Sequence, residues 1–306
     1  VGLIVTGGVS PNEQGLLSPG SMKLTDPEQV ADYKIITEAV HESGSHIILQ
    51  ILHAGRYAKQ KNLVAPSPIR SPINKFEPKE MSEKDILSTI DDYVNCASLA
   101  QQAGFDGIEL LGSEGYFLNE FTASRTNKRT DQWGGSFENR ARFPLTVLQS
   151  IREKVGSQFF IQYRMSMLDL VEDGWTIHEA QQFAQLLEAN GVDLINTGIG
   201  WHESSIPTIA MQVPRAAFSW ATRMIKQVVN IPVAAANRIN TTEVANTLIQ
   251  QGDADLVYLS RPFLADPDFV IKAQQQRSDE INSCIACNQS CLDARCVDAH
   301  TFCGSG

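Results

Sequence analysis

The sequence predicts an α/β protein: a (β/α)8 TIM barrel whose first β/α unit is truncated, followed by a short cysteine-rich segment. Three observations predict it. Short β-rich runs alternate with helical patterns from end to end, which implies parallel strands joined by right-handed crossovers and leaves a doubly wound sheet or a closed barrel. Polar residues stand at the carboxyl ends of many of these runs, the face on which barrels build their sites. Seven strand–helix units are visible, one short of eight, in a chain that opens within an apolar run.

That run, VGLIV, predicts a strand over 1–6 and reads as the middle of a domain rather than a natural start, so the missing unit is expected before Val1. Further strands are expected over 46–52, 106–111, 158–165, 193–197, 231–236 and 256–260. Helix starts are marked by Ser82 ahead of Asp85, Thr176 three residues ahead of Glu179, and Asn240 three residues ahead of Glu243. Gly104, Gly156, Gly191 and Gly252 mark helix exits. No GxGxxG turn follows any strand, which argues against a dinucleotide-binding Rossmann domain here. The barrel is expected over 1–276 and the cysteine segment over 277–306.

The 306 residues are 42% apolar, enough to bury a large core. A formal net charge of -10 argues against a nucleic-acid partner, while leaving room for a local basic pocket that takes a phosphorylated small molecule. No run approaches the ~20 apolar residues that cross a bilayer, and no leader pattern opens the chain, so no membrane insertion and a cytoplasmic address are expected.

Five of the six cysteines crowd into the tail, at Cys284, Cys287, Cys291, Cys296 and Cys303, whereas a secreted disulfide framework spreads them out. Cys284, Cys287 and Cys291 share one tight loop, and Cys303 arrives after a longer excursion. Four thiolates so spaced suit a [4Fe–4S] cluster. A tetrathiolate zinc site, which usually shows two separated CxxC pairs, and unliganded buried thiols are the alternatives. Cys296 competes with Cys303 as fourth ligand. Cys96, within a helical pattern, reads as a small buried hydrophobe.

The order of motifs resembles the bacterial NADPH-dependent 2,4-dienoyl-CoA reductases, within the wider Old Yellow Enzyme group. The likeness runs through ILQILHAGR (48–56), GFDGIELLGSEGYFLNEF (104–121), TNKRTDQWGGSFENRARF (126–143), GWHE (200–203), ANRIN (236–240), SRPFLADPDF (260–269) and the cysteine tail. It implies FMN in the barrel beside the cluster, FAD and NADPH in a carboxyl-terminal module expected to lie beyond this chain, and an acyl-CoA substrate.

Beside the resemblance each residue keeps its own reading. The Gln50 amide can pair with the pyrimidine edge of a flavin or be a satisfied core glutamine. Arg164, at the end of QFFIQYR, can stabilise negative charge at the N1/O2 edge of a reduced flavin or form a rim salt bridge. Arg238 and Arg261 close the last two strands, where barrels commonly bind phosphate. The resemblance makes this the FMN phosphate, with Ser260 and Arg261 where relatives often carry Gly-Arg.

For proton chemistry the resemblance implies Tyr116 and His202 as a hydrogen-bonded pair over the flavin face, with Glu114 tuning them. A phenol stays protonated at neutral pH and can protonate the dienolate that follows hydride transfer, and an imidazole neighbour can relay the proton. Taken singly, the Tyr reads equally as packing and the His as a surface-loop imidazole. Old Yellow Enzyme relatives often hold a substrate carbonyl with paired His or His/Asn near this strand end. Leu111 and Glu114 stand there instead, which disfavours a generic enone reductase.

Asn127, Lys128, Arg129 and the ENRAR stretch over 138–142 are expected to form a solvated, salt-bridged loop and helix start rather than a guide for substrate. His53 and Arg56 fall on the flavin side by resemblance, with no chemical role expected. Two rivals stand beside this reading. An amine dehydrogenase of the trimethylamine type shares the architecture, but its cysteine triplet usually has a two-residue second gap where this chain has three. The other is a non-catalytic iron–sulfur barrel.

Overall fold

The runs of Ile, Leu, Val and aromatic residues become parallel strands in the computed structural model, which describes residues 1–293. Two compact units are distinguished, Val1–Ser205 with Val228–Ile231, and a second formed by residues 206–227 and 232 onward.

In the first unit, β1 (Leu3–Val5), β2 (His46–Ile51), β3 (Gly107–Gly112), β4 (Phe160–Leu168) and β5 (Leu194–Ile199) lie side by side in chain order. Every pair is parallel. Helices α1 (Val30–Glu42), α2 (Glu83–Gln102), the short α3 (Phe117–Thr122), α4 (Phe137–Val155) and α5 (Ile177–Ala189) fill the crossovers. The strand order never reverses, which removes the doubly wound alternative for this unit, since that topology needs a switch point. Both β3 and β5 are buried at every residue, as strands covered on both faces must be.

The expected punctuation is present. Ser82 and Thr176 each close a capping box, with Asp85 and Glu179 respectively. Gly104, Gly156 and Gly191 take the left-handed conformation at helix exits. The charged loop and helix start are salt-bridged as expected, Lys128 to Asp173, Arg129 to Asp131 and Glu80, and Arg140 to Glu179, with Lys128, Glu138 and Arg142 exposed, but Asn127, Arg129 and Arg140 are buried rather than solvated. Asn127 is buried and donates to the carbonyls of Phe121 and Trp133, each at 2.8 Å. Arg129 is buried against the Met81 carbonyl at 2.7 Å. Arg140 ties the Thr122 carbonyl to Glu179, 2.5 Å away at the start of α5. These guanidiniums satisfy loop carbonyls that no helix or strand would otherwise reach.

The second unit contains α6 (Ser219–Lys226), β6 (Val233–Ala235), α7 (Thr242–Gln250), β7 (Leu256–Val257), α8 (Arg261–Ala265) and α9 (Phe269–Gln274). β6 and β7 are parallel, and Gly252 again turns the chain after a helix. The cap of α7 lies one residue later than expected: Thr241 accepts from Val244 N at 3.3 Å. Asn240 instead donates its side-chain amide to the Cys284 carbonyl at 2.7 Å, a tertiary partner that local spacing does not reveal. Among the described residues no helix is long and apolar enough to cross a membrane.

Candidate active site

A carboxylate sits where the apolar pattern leaves least room for one. Glu109, in the middle of fully buried β3, has no exposed surface, and a buried carboxylate survives only if hydrogen-bonded. The parallel register supplies the donors: Gln50 of β2 at 2.6 Å, Gln162 of β4, and Asn196 of β5 at 2.8 Å. Three strands thereby share one anion. Because the Gln50 NH2 is committed to Glu109, its carbonyl oxygen is left as an acceptor, which is the polarity a flavin N3–H requires.

Arg164, on β4, meets Glu114 through Nε at 3.1 Å and Nη2 at 2.8 Å, leaving Nη1 without a hydrogen-bond partner among the described residues. Burial pushes the Glu114 carboxyl up, but the Arg164 guanidinium outweighs it and holds the group below its ordinary value. Glu114 also accepts from the Ser113 hydroxyl. Its side-chain hydrogen bonds therefore go to Arg164 and Ser113. Toward His202 it offers a through-space charge and a backbone bond of 3.3 Å from His202 N to Glu114 O.

Tyr116 stands at the N-cap of α3 just after Gly115, and its hydroxyl lies 3.0 Å from His202 Nε2. The two rings meet edge to face, with centroids 5.1 Å apart. Tyr57 completes the set, edge-on to Tyr116 at 5.8 Å and to His202 at 5.7 Å. Gly115 holds φ 82, and a Cβ there would fall 2.5 Å from the Tyr57 hydroxyl and 2.8 Å from Trp201. Only glycine admits this approach.

Beneath the aromatic set lies a buried ion network. Glu203 accepts from Arg56 at 2.6 Å, Arg125 at 2.9 Å, Ser71 at 2.9 Å and Tyr57 at 3.3 Å. Burial raises the Glu203 carboxyl, and Arg56 first among its partners brings it below the ordinary range. The Arg56 guanidinium sits over Tyr57 at 5.6 Å and Trp201 at 5.5 Å, an arrangement that favours a desolvated cation. Glu120 accepts from Arg56 N at 2.8 Å. Its carboxyl is pushed up to about 8 by burial. His53 stacks on Phe117 at 4.0 Å and is pushed down to about 3, again by burial.

Sequence reasoning brought Tyr116 and His202 together and missed the residues that hold them. Arg56 was expected to have no role, and Tyr57, Glu109, Glu120 and Glu203 were not singled out. One signal was available: Glu109 and Arg56 are charges inside runs that otherwise read as wholly buried.

In the second unit, Arg238 donates from Nε to the Val213 carbonyl at 2.8 Å. Arg261 donates to the Ile209 carbonyl at 2.9 Å and to Asn288 Oδ1 at 2.6 Å. Neither makes an ion pair among the described residues. The Arg238 guanidinium is held below its ordinary value by burial, and then by the nearby charges of Arg261 and Arg215. Cations gathered without a carboxylate suit an anion such as phosphate. Ser260 directly precedes Arg261 at the start of α8, where its side chain makes no capping bond.

Cys284 is buried, Cys287 exposed and Cys291 intermediate. Ala286 and Asn288 take left-handed φ values of 58 and 63 on either side of Cys287, which curls this loop tightly. Among the described residues no three His, Cys, Asp or Glu stand close enough to hold a metal ion. Cys296 and Cys303 lie outside the described residues. Cys96 is fully buried, as expected, and burial pushes its thiol up.

Residues 1–280 match the model of the NADH:flavin oxidoreductase / NADH oxidase family. A "Metal reductase" from Desulforamulus reducens is 40% identical over 95% of this chain and 44% of its own length. An "NADPH dehydrogenase" from Bacillus velezensis is 33% identical over 92% of this chain and 82% of its own. A solved 2-naphthoyl-CoA reductase complex superposes with a TM-score of 0.95 at 30% identity, covering 99% of this chain and 49% of that one. The chain thus spans about half the length of two of these three relatives.

Proposed function

The chain belongs to the NADH:flavin oxidoreductase / NADH oxidase family, and from that premise we propose that it reduces a conjugated carbon–carbon double bond in an acyl-CoA thioester of the 2,4-dienoyl type. The proposal includes closure of the strands into a TIM barrel and FMN as the bound flavin. The observation that carries it is the Tyr116–His202 hydrogen bond of 3.0 Å, set next to Glu114 and Leu111 rather than a His/Asn pair for a simple carbonyl.

The residues present fit a flavin. With its NH2 donating to Glu109, Gln50 offers its carbonyl oxygen as an acceptor, and Arg164 keeps Nη1 for a developing negative charge. The second unit has its own anion-type set, Arg238, Arg261 and Ser260, whose chemistry suits a phosphate such as that of FMN. When bound and reduced, the flavin supplies the hydride that adds to the far carbon of the diene. Tyr116 then donates its proton to the dienolate beside the thioester, and His202 Nε2 shares that proton and stabilises the phenolate left behind.

Cys284, Cys287 and Cys291, with Cys303, form the proposed ligand set for a [4Fe–4S] cluster, and the curled loop about Cys287 supports that reading. FAD and NADPH belong to the proposed electron supply of the whole protein.

The test is a single turnover under anaerobic conditions. FMN-loaded protein is reduced with dithionite, freed of excess reductant and mixed with a 2,4-dienoyl-CoA or a simple cyclic enone, while a separate oxidised sample is mixed with a tertiary amine. Reoxidation of the flavin by the dienoyl-CoA at least ten times faster than by the enone is expected. If only the enone is reduced, or if the oxidised protein is instead reduced by the amine, the proposal fails.

A further inference from the structure

The chain carries a net charge of -10, yet the excursion after β2, residues 55–81, contains six Lys or Arg against two Glu. Arg56 is neutralised by Glu203. Arg70 and Lys75 are exposed and make no ion pair among the described residues. Cations concentrated on one excursion of an acidic protein raise the local concentration of anions there.

Side-chain hydrogen bonds hold the middle of this excursion against the candidate site. Ser71 donates to Glu203 at 2.9 Å, and Asn74 donates to the carbonyls of Arg56 at 2.8 Å and Ala58 at 2.9 Å. Phe76 and Tyr116 pack on the same apolar cluster, built from Leu52, Ala54, Ala58, Leu63 and Leu111. Residues 70–76 therefore form a lip fixed beside the Tyr116 phenol. Arg70 opens it, Lys75 stands 5.0 Å over the Phe76 ring, and between them Ile73 leaves 58% of its surface exposed. Two cations flanking an exposed apolar side chain match a ligand that is anionic at one end and apolar along its length.

We propose that the 70–76 lip binds the phosphate-bearing end of the thioester substrate, with Arg70 and Lys75 facing the phosphates of coenzyme A and Ile73 lying along the less polar arm. The inference rests on the acyl-thioester reading above. A phosphorylated nicotinamide reductant offers the same anionic chemistry, so the experiment separates the two.

The flavin-free chain is titrated calorimetrically with coenzyme A, with pantetheine, which lacks the phosphates, and with NADPH. The FMN-loaded, reduced protein is then assayed with a dienoyl-CoA and with the dienoyl thioester of N-acetylcysteamine. Coenzyme A is expected to bind at least ten-fold more tightly than pantetheine, with an affinity that falls as salt rises. The double variant Arg70→Ala, Lys75→Ala is expected to lose roughly ten-fold for coenzyme A and for dienoyl-CoA, while the N-acetylcysteamine thioester is handled within two-fold of the parent. The charge-keeping exchange Arg70→Lys, Lys75→Arg should retain affinity, which guards against a folding effect. Equal binding of coenzyme A and pantetheine, or a double variant that weakens NADPH alone, overturns the lip and leaves the substrate reading standing. Reduction of neither thioester sinks the substrate reading itself, and the lip with it.

Discussion

At Tyr116 a phenol lies 3.0 Å from an imidazole and its ring meets Tyr57 edge to face, so the proposed proton donor can be tested apart from the ring. Replacing Tyr116 with Phe keeps the ring and removes the proton. The dienoyl-CoA single-turnover rate should drop roughly 100-fold, with the absorbance of bound FMN unchanged; an undiminished rate removes Tyr116 from the mechanism. Glu203 is the partner whose loss exposes the network, because Gln at 203 leaves the buried Arg56 guanidinium without its anion. Breaking a buried pair from one side costs about 3–5 kcal/mol, so Glu203→Gln should lower the denaturant midpoint sharply.

Glu120 gives a pH-dependent signature at the same scale. Its carboxyl is raised to about 8, so between the ordinary 4.5 and 8 the folded chain keeps a proton that the unfolded chain releases. Stability then falls as pH rises, by up to about 1.4 kcal/mol per unit. His53, lowered to about 3 from 6.5, still charges in part in the unfolded chain near pH 6.5, but that contribution is common to parent and variant, so the difference between their slopes from 6.5 to 8 reports Glu120. Glu120→Gln is expected to flatten the slope of unfolding free energy across that window. A slope unchanged by the substitution would mean that Glu120 is ionised in the folded chain.

At the scale of the element, the helix starts separate local from tertiary causes. Thr176 and Ser82 cap α5 and α2 as their spacing predicts, because the capping box is closed within four residues. Thr176→Ala should cost about 1 kcal/mol of unfolding free energy, and a thermal shift of the variant against the parent measures it. Asn240 shows the opposite case. Its amide is drawn to the Cys284 carbonyl, so Thr241 caps α7. The seven expected strands were legible for the same reason as Thr176, since they follow from local apolar runs, with edges displaced by a few residues, whereas the short pair Val64–Ala65 and Lys79–Glu80 was not. The burial of Arg129 and Arg140 within the charged loop over 127–142 was not legible either, since the carbonyls they satisfy come from distant segments.

At the scale of the whole molecule, the family match over 1–280 and the sequential strand order of the first unit agree with the predicted α/β class. The iron–sulfur proposal is tested at this scale by anaerobic reconstitution with ferrous iron and sulfide. About four irons and four sulfides per chain, with broad absorbance near 400 nm, are the expected outcome for a [4Fe–4S] centre. Cys291→Ala should abolish that absorbance while leaving the far-ultraviolet circular dichroism of the parent. A parent chain that takes up zinc and no sulfide would replace the cluster with a zinc site.

The amino-acid sequence by itself determined the alternation of strands and helices, most of the helix punctuation and the grouping of the cysteines, because those follow from periodicity and spacing within a dozen residues. It also flagged Tyr116 and His202, though only through motifs seen together. The tertiary structure alone decided what each polar side chain faces: Gln50 on Glu109, Glu114 on Arg164, and Arg56 on Glu203. Those pairings join residues at least 50 apart along the chain, and only strand register and the desolvation of buried charge select among the partners they could have had.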